Sequence, residues 1–257
     1  MSLQNRKFPT YSADNRLERA RKHAAMADKQ IDLKGKRVLE VGCHLGDTTK
    51  VLADEYGCDV VGLDIRPQAN WPELNKHPRI TVFDGDITQP HELLADNSFD
   101  AIVSFVVWEH IRHPWSALQT CQRVLKPTGK KFMRANLERS ALASHLYRHI
   151  SEPWPQLIYS PREIAEKLNV EKLDVAFWCN KLTYQQYLFY FRKLGFYVTY
   201  EAFDGIKFDR EFYEKHEQQL GLYPEWDLKT DFFNVVLEFD QDHPKQAIPD
   251  PVYRLRT

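Results

Sequence analysis

An α/β fold built on a parallel sheet with crossover helices is what the sequence predicts, and three observations carry it. Short apolar runs alternate with helical stretches along residues 36–135, which argues for parallel strands joined by crossovers. The first run, Val38-Leu39-Glu40-Val41, enters a glycine-bearing turn, Gly42-Cys43-His44-Leu45-Gly46. The second, Val60-Val61-Gly62-Leu63, ends on a lone carboxylate, Asp64. Glycines let the backbone approach a ligand closely. A carboxylate ending the second strand stands where it can take both hydroxyls of a ribose. The arrangement suits a nucleoside.

Taken in order, residues 1–35 form a polar N-terminal helical segment, with Leu17, Ala20, Ala24 and Ala27 at three- and four-residue steps. Gly35 ends it. Strands are expected at 37–42, 59–64, 79–84, 99–105 and 130–135, and helices at 46–56, 90–95 and 114–125. Pro114 suits the first helical position, with His113 as its cap. After residue 136 the alternation stops, and residues 136–182 read as an insertion. It resumes at Thr183-Tyr184-Gln185-Gln186, a capping box ahead of a helix ending at Leu194-Gly195. Residues 196–203 and 232–239 read as the sixth and seventh strands, so 183–239 returns to the core. A second insertion, 204–231, carries Phe208, Phe212, Tyr213, Tyr223 and Trp226. Entering after strands five and six, the two insertions would meet over the carboxyl edge of the sheet, where open α/β sheets bind ligands. A substrate lid is expected there, with a homodimer interface as the alternative. Residues 240–257, with Pro244, Pro249 and Pro251, read as an extended tail.

Composition narrows the partners. The chain has 257 residues, 43% hydrophobic and 28% charged, with a net charge of -1. That supports one full core and offers no electrostatic case for nucleic acid or an anionic membrane. No run is long enough to span a bilayer, and the N-terminus lacks the apolar stretch of a signal peptide. Cys43, Cys58, Cys121 and Cys179 show no paired spacing, so neither zinc nor a disulfide framework is indicated. A cytoplasmic location is expected.

The nucleoside is identified by what surrounds the glycines. A nicotinamide cofactor needs Gly-x-Gly-x-x-Gly facing a pyrophosphate. Here the spacing is Glu40-x-Gly42-x-His44-x-Gly46. A carboxylate ahead of the first glycine disfavours a pyrophosphate and favours a ligand carrying an amino group and a sulfonium. The segment resembles motif I of the class I S-adenosylmethionine-dependent methyltransferases. Phe83-Asp84-Gly85-Asp86-Ile87 resembles their acidic adenine-binding turn, and Phe99 to Ile111 their fourth strand and following loop. Arg123-Val124-Leu125-Lys126-Pro127-Thr128-Gly129 is similar to their Arg-x-Leu-Lys-Pro-Gly-Gly turn. The resemblance covers residues 36–135 and implies a Rossmann-like, seven-stranded, mostly parallel sheet. In that sheet the last strand is antiparallel and helices lie on both faces. It implies S-adenosylmethionine as cofactor, held by Glu40, Gly42, Gly46, Asp64, Ile65, Asp86, Ile87 and Phe105. Asp64 would take the ribose, Asp86 the adenine amino group, and Ile65 and Ile87 the faces of the adenine. Asp86 has the alternative of capping its own turn. One departure stands out, since His44 replaces the family's middle glycine.

Methyl transfer is an in-line displacement, and an oxygen nucleophile of high pKa also needs a base. His110, just past the fourth strand, is the first candidate, with Glu109 to orient or charge it. His145 and His149, four residues apart, would share one face of a lid helix. Val106 stands where metal-binding relatives carry a glutamate, so no metal is expected. Tyr11 is a candidate to lie over the sulfonium. Trp154, Tyr159, Trp178, Tyr184, Tyr213 and Trp226 would stack on a sugar or an aromatic acceptor, or else form the lid's own core. Arg134, Arg139 and Arg148 are candidates to grip an anion. The insertions resemble those of surface-polysaccharide and natural-product methyltransferases, which points to a sugar or nucleotide-sugar hydroxyl as acceptor. The Asn/Asp-Pro-Pro-Tyr and Pro-Cys signatures of base methylation are absent. A nicotinamide-dependent oxidoreductase, methylation of another small metabolite, and a non-catalytic S-adenosylmethionine-binding protein are the competing readings.

Overall fold

The computed structural model describes residues 12–141, 143–173 and 178–239. Tyr11 and the tail expected at 240–257 lie outside the described residues. The chain opens with helix α1 (Ala13–Ile31), its first turn capped by the Ser12 hydroxyl accepting from Asn15 N–H at 3.2 Å. Ala20, Ala24, Ala27 and Ile31 form its buried stripe, one step further along than the expected Leu17, Ala20, Ala24 and Ala27, with Leu17 only partly covered. Then follow β1 (Arg37–Val41), α2 (Asp47–Tyr56), β2 (Asp59–Asp64), α3 (Trp71–Leu74), β3 (Ile80–Asp84) and β4 (Phe99–Phe105). α4 (Pro114–Val124) leads directly into β5 (Leu125–Asn136).

The sheet has seven strands in the order β3-β2-β1-β4-β5-β7-β6. β1 to β5 pair in parallel, and β7 (Thr230–Phe239) runs antiparallel between β5 and β6 (Phe196–Gly205). This is the predicted Rossmann-like topology. Alternation along each strand feeds two cores. On one face Val38, Val60, Ala101, Val103 and Phe105 pack under α1 and α2. On the other Leu39, Val41, Leu63 and Ile102 pack under α4 and α7 (Tyr184–Lys193). α7 starts in the predicted capping box, with both of its hydrogen bonds present.

The structure departs from the expectations in two local elements. Residues 90–95 form turns rather than a helix; His91 stacks on Phe83 at 4.0 Å and accepts at Nδ1 from Leu93 N–H. His113 sits at the N-cap of α4 but makes no side-chain cap bond.

The two insertions do meet. The first contains a 3₁₀ segment (Ala143–Arg148), α5 (Pro155–Ile158) and α6 (Pro161–Leu168). The second contains α8 (Arg210–Lys215), α9 (Glu217–Leu220) and α10 (Glu225–Lys229). Ala141 and Trp154 of the first share a buried cluster with Leu220 and Leu228 of the second, surrounded by Phe208, Phe212, Tyr213 and Tyr223. The Trp154 indole donates to Leu228 O at 3.2 Å. Most of the aromatic supply is therefore the insertions' own core. Among the described residues no helix is long and apolar enough to cross a membrane.

Candidate active site

The glycine-bearing turn wraps the carboxyl ends of β1 and β2. Gly42, His44 and Gly46 all have positive φ, at 80°, 46° and 76°. Gly42 has a second reason to be glycine: a Cβ there would lie 2.3 Å from Val107 Cγ2, in the loop after β4. Leu63 O accepts from the N–H groups of Gly42 and Cys43, at 2.8 and 3.0 Å. The Asp64 carboxylate accepts from His44 N–H through Oδ2 and from Arg66 N–H through Oδ1, both at 3.0 Å. Each oxygen then has lone-pair capacity left for a diol. Such a half-open carboxylate beside a close-approach turn fits a ribose.

Around it, Ile65 is 68% exposed and presents a bare apolar face. Ile87 instead is buried in the sheet core. The expected adenine sandwich is thus open on the Ile65 side only, because Ile87 follows β3 with its side chain turned into the core. Gly85 N–H donates to Asp64 O at 3.0 Å, which brings the Asp86 turn alongside. Asp86 Oδ1 accepts from Thr88 N–H and from its hydroxyl, each at 2.8 Å, so the residue does cap its own turn. Glu40 is buried, its Oε2 accepting from the Thr49 hydroxyl at 2.5 Å. Burial, reinforced by Asp47 and Asp64, pushes its pKa up to about 7. Phe105 stacks on His23 of α1 with ring centroids 4.5 Å apart.

α3 was not foreseen, and it clamps the turn. The Trp71 indole donates to His44 O and the Asn70 amide to Leu45 O, both at 2.8 Å. The signal was present in Asn70-Trp71-Pro72, a proline in the first helical turn.

The second half of the site lies past β4. Val106 has φ 60°, a strained conformation for a β-branched residue. A 3₁₀ turn (Trp108–His110) follows. Asn180, at the end of the first insertion, pins this turn, donating from its side chain to Trp108 O at 2.6 Å and from its N–H to Glu109 O at 2.6 Å. Nothing in the sequence marked Asn180. The His110 ring lies with Nδ1 2.9 Å from Trp178 O and Nε2 3.2 Å from Nε2 of His145. His145 also has positive φ, at 58°. Burial lowers the pKa of both rings, that of His145 to about 4, with His110 and Arg148 adding to it. The pair, with Val106, Glu109, Asn136 and Phe232, lines a cavity of about 30 Å³.

Three expectations are corrected here. His145 and His149 do not share a helix face, because the backbone reverses at His145 within a short 3₁₀ segment and His149 is exposed beyond it. Glu109 does not orient His110; its carboxyl is buried, and neither oxygen reaches a donor at hydrogen-bond geometry. Burial pushes that carboxyl up to about 8, while the nearby backbone N–H groups of Glu109 and Asn136 pull the other way. Arg134 and Arg139 do not await an anion. Arg134 of β5 pairs with Asp204 of β6 and bonds Asn234 and lies over Phe232 of β7, whereas Arg139 pairs with Asp227 and ties the two insertions together. Arg148 is exposed, its guanidinium 5.7 Å from the Tyr147 ring centroid.

Comparison with known proteins agrees with this geometry. The family model described as a methyltransferase domain matches residues 39–133. The ubiquinone biosynthesis O-methyltransferase of Nitrosococcus oceani is 30% identical over 170 residues, covering 65% of this chain and 67% of that protein. The protein of the same name from Xanthomonas oryzae pv. oryzae is 32% identical over 117 residues, 44% of this chain. That match spans 48% of the Xanthomonas protein, about half its length. Among solved structures, an S-adenosylmethionine-dependent methyltransferase from Mesorhizobium loti superposes with a TM-score of 0.58 at 18% identity, over 86% of this chain and 99% of that one. Motif, topology and relatives converge: the chain belongs to the class I S-adenosylmethionine-dependent methyltransferases, and S-adenosylmethionine is its cofactor.

Proposed function

We propose that the chain moves a methyl group to a hydroxyl of a small-molecule acceptor. The observation that carries this is the histidine pair, half-buried at the end of β4 beside the loop that packs on Gly42. An oxygen nucleophile needs a proton acceptor there, and two neutral imidazoles supply one. The two relatives named as O-methyltransferases support oxygen as the methylated atom.

In this reading the cofactor, when bound, supplies an electrophilic methyl on sulfonium. The Asp64 carboxylate and the 42–46 turn hold its nucleoside end, and Ile65 offers an apolar face to the base. The strained Val106 places the loop after β4 so that His110 and His145 face the acceptor. The two insertions act as a lid, joined by the Trp154 cluster and by the Arg139–Asp227 pair, and keep water from the reacting atoms. A sugar or nucleotide-sugar acceptor keeps less support than the sequence offered. Trp154 is fully buried, and Tyr213 packs inside the lid core. Trp178 and Trp226 remain exposed enough to stack on an acceptor.

The test is methyl transfer from radiolabelled S-adenosylmethionine to a panel of phenols, sugars and nucleotide sugars, with the matching amines as controls. Label transferred to a hydroxyl, and lost when that hydroxyl is replaced, supports the proposal. Transfer to the amines alone would refute it.

A further inference from the structure

We propose that Nδ1 of His145 is the atom that takes the acceptor's proton, and that His110 is the positioning residue that fixes His145 in the required tautomer. The inference rests on the hydroxyl-transfer reading and assigns the atoms within it.

The argument is one of donors and acceptors. Trp178 O is a carbonyl and can only accept, so the His110 nitrogen 2.9 Å away, Nδ1, carries the hydrogen. A neutral imidazole has a single N–H, which leaves His110 Nε2 with a bare lone pair. His145 Nε2 lies 3.2 Å from it and must therefore donate. The hydrogen of His145 is thereby used, and its Nδ1 is left unprotonated. No other hydrogen bond occupies that nitrogen among the described residues. The opposite assignment would require His110 to be an imidazolium. Burial and the nearby Arg66 hold its pKa below the ordinary value, so at neutral pH it is uncharged.

The surroundings fit the task. His145 and Val106 are both held at positive φ, and both line the same cavity. At about 30 Å³, and with Glu109, Asn136 and the two histidines among its lining, it has room for a water or a single hydroxyl oxygen. The pair also offers the proton somewhere to go. The Trp178 carbonyl favours a charged His110, whereas His145 is disfavoured as a cation by burial, by His110 and by Arg148. The acceptor's O–H bond breaks as its proton goes to His145 Nδ1. The oxygen bonds the methyl carbon, and the carbon–sulfur bond breaks with its electron pair on sulfur. His145 then passes its Nε2 hydrogen to His110 Nε2. The positive charge that began on sulfonium ends on His110, stabilised by the Trp178 carbonyl.

Long-range proton–nitrogen correlation spectra of the full chain labelled with ¹⁵N-histidine test this without any acceptor. Assignments come from His110→Gln and His145→Gln, and both variants are checked for unchanged S-adenosylhomocysteine binding. The expected result is an Nδ1–H tautomer for His110 and an Nε2–H tautomer for His145, with the His145 preference lost in His110→Gln. A His145 ring protonated at Nδ1, or one whose tautomer ignores His110→Gln, would overturn the assignment while leaving the methyl-transfer reading standing. On a hydroxyl acceptor from the panel, His145→Gln is expected to lower kcat about 10²–10⁴-fold with KM little changed. An unchanged kcat would remove His145 from the chemistry. Failure of the wild-type chain to bind S-adenosylhomocysteine would instead sink the reading on which the assignment rests.

Discussion

Replacing Gly42 by alanine perturbs both halves of the site through one atom. A Cβ at this position would sit 2.3 Å from Val107 Cγ2 and 2.8 Å from Cγ1. Restoring ordinary contact moves Val107 by about 1 Å, and Val107 heads the turn that carries His110. The backbone adds its own penalty, since φ is 80° and a left-handed L-residue costs about 1–2 kcal/mol. Overpacking adds about 1–3 kcal/mol, giving a loss of about 2–5 kcal/mol in all. A displacement of that size near the reacting atoms is expected to cost about 10²-fold in turnover. The assay is urea unfolding together with calorimetric titration of S-adenosylhomocysteine, on Gly42→Ala and on Gly42→Ala/Val107→Ala. The double variant removes both clashing methyl groups, so it should regain the overpacking share and keep only the backbone penalty. A single variant as stable and as tight-binding as the parent would refute the close approach. A double variant no better than the single would refute Val107 as its cause.

Two further predictions concern buried charges. Glu109 holds its proton up to about pH 8 when folded, against an ordinary value of 4.5. Native stability from this group is therefore full below pH 4.5 and is lost as pH rises toward 8. Glu109→Gln removes that loss, and the variant should gain about 2–4 kcal/mol on the parent between pH 5 and 8.5 in denaturant unfolding; parallel pH profiles would contradict it. Lys131 has the opposite sign. Its ammonium is fully buried without a hydrogen-bond partner, 4.0 Å from the Trp108 ring centroid, and burial lowers its pKa to about 8. The stability it contributes is present above pH 10.5 and lost as pH falls through 8. Lys131→Met is expected to stabilise the chain by about 1–3 kcal/mol at pH 7, with a smaller gain at pH 10. A loss of stability at pH 7 would show that the cation–π contact outweighs the burial.

How much of this was legible in the sequence depends on how local each feature is. The turn 42–46 and the strand ending at Asp64 were readable because spacing along the chain alone sets them side by side. Thr183 and Gln186 announced α7 for the same reason, since a capping box closes within one turn. α3 went unread because four residues carry no periodicity, although Pro72 marked its start. Residues 90–95 have helical composition but lie in turns, where the His91 ring stacks on Phe83 and takes the Leu93 N–H. The harder failures were tertiary. His145 and His149 looked like neighbours on a helix until a positive φ at His145 separated them. Glu109 and His110 are adjacent in sequence, yet the Glu109 carboxyl is buried with no bond to the ring, while His110 turns to Trp178 and His145. Arg134 and Arg139 found acidic partners 70 and 88 residues away. Asn180 and Trp178 shape the histidine pair from the far end of an insertion, which no spacing rule connects to β4.

The most direct test of the central claim is calorimetric titration of S-adenosylhomocysteine into the parent chain and Asp64→Ala. Two hydrogen bonds to a charged carboxylate contribute about 1.5–3 kcal/mol each, so the variant should bind at least about 100-fold more weakly. Micromolar binding by the parent with that loss is the predicted result. Equal affinity in the two proteins, or none in the parent, would contradict the placement of the cofactor and every role built on it.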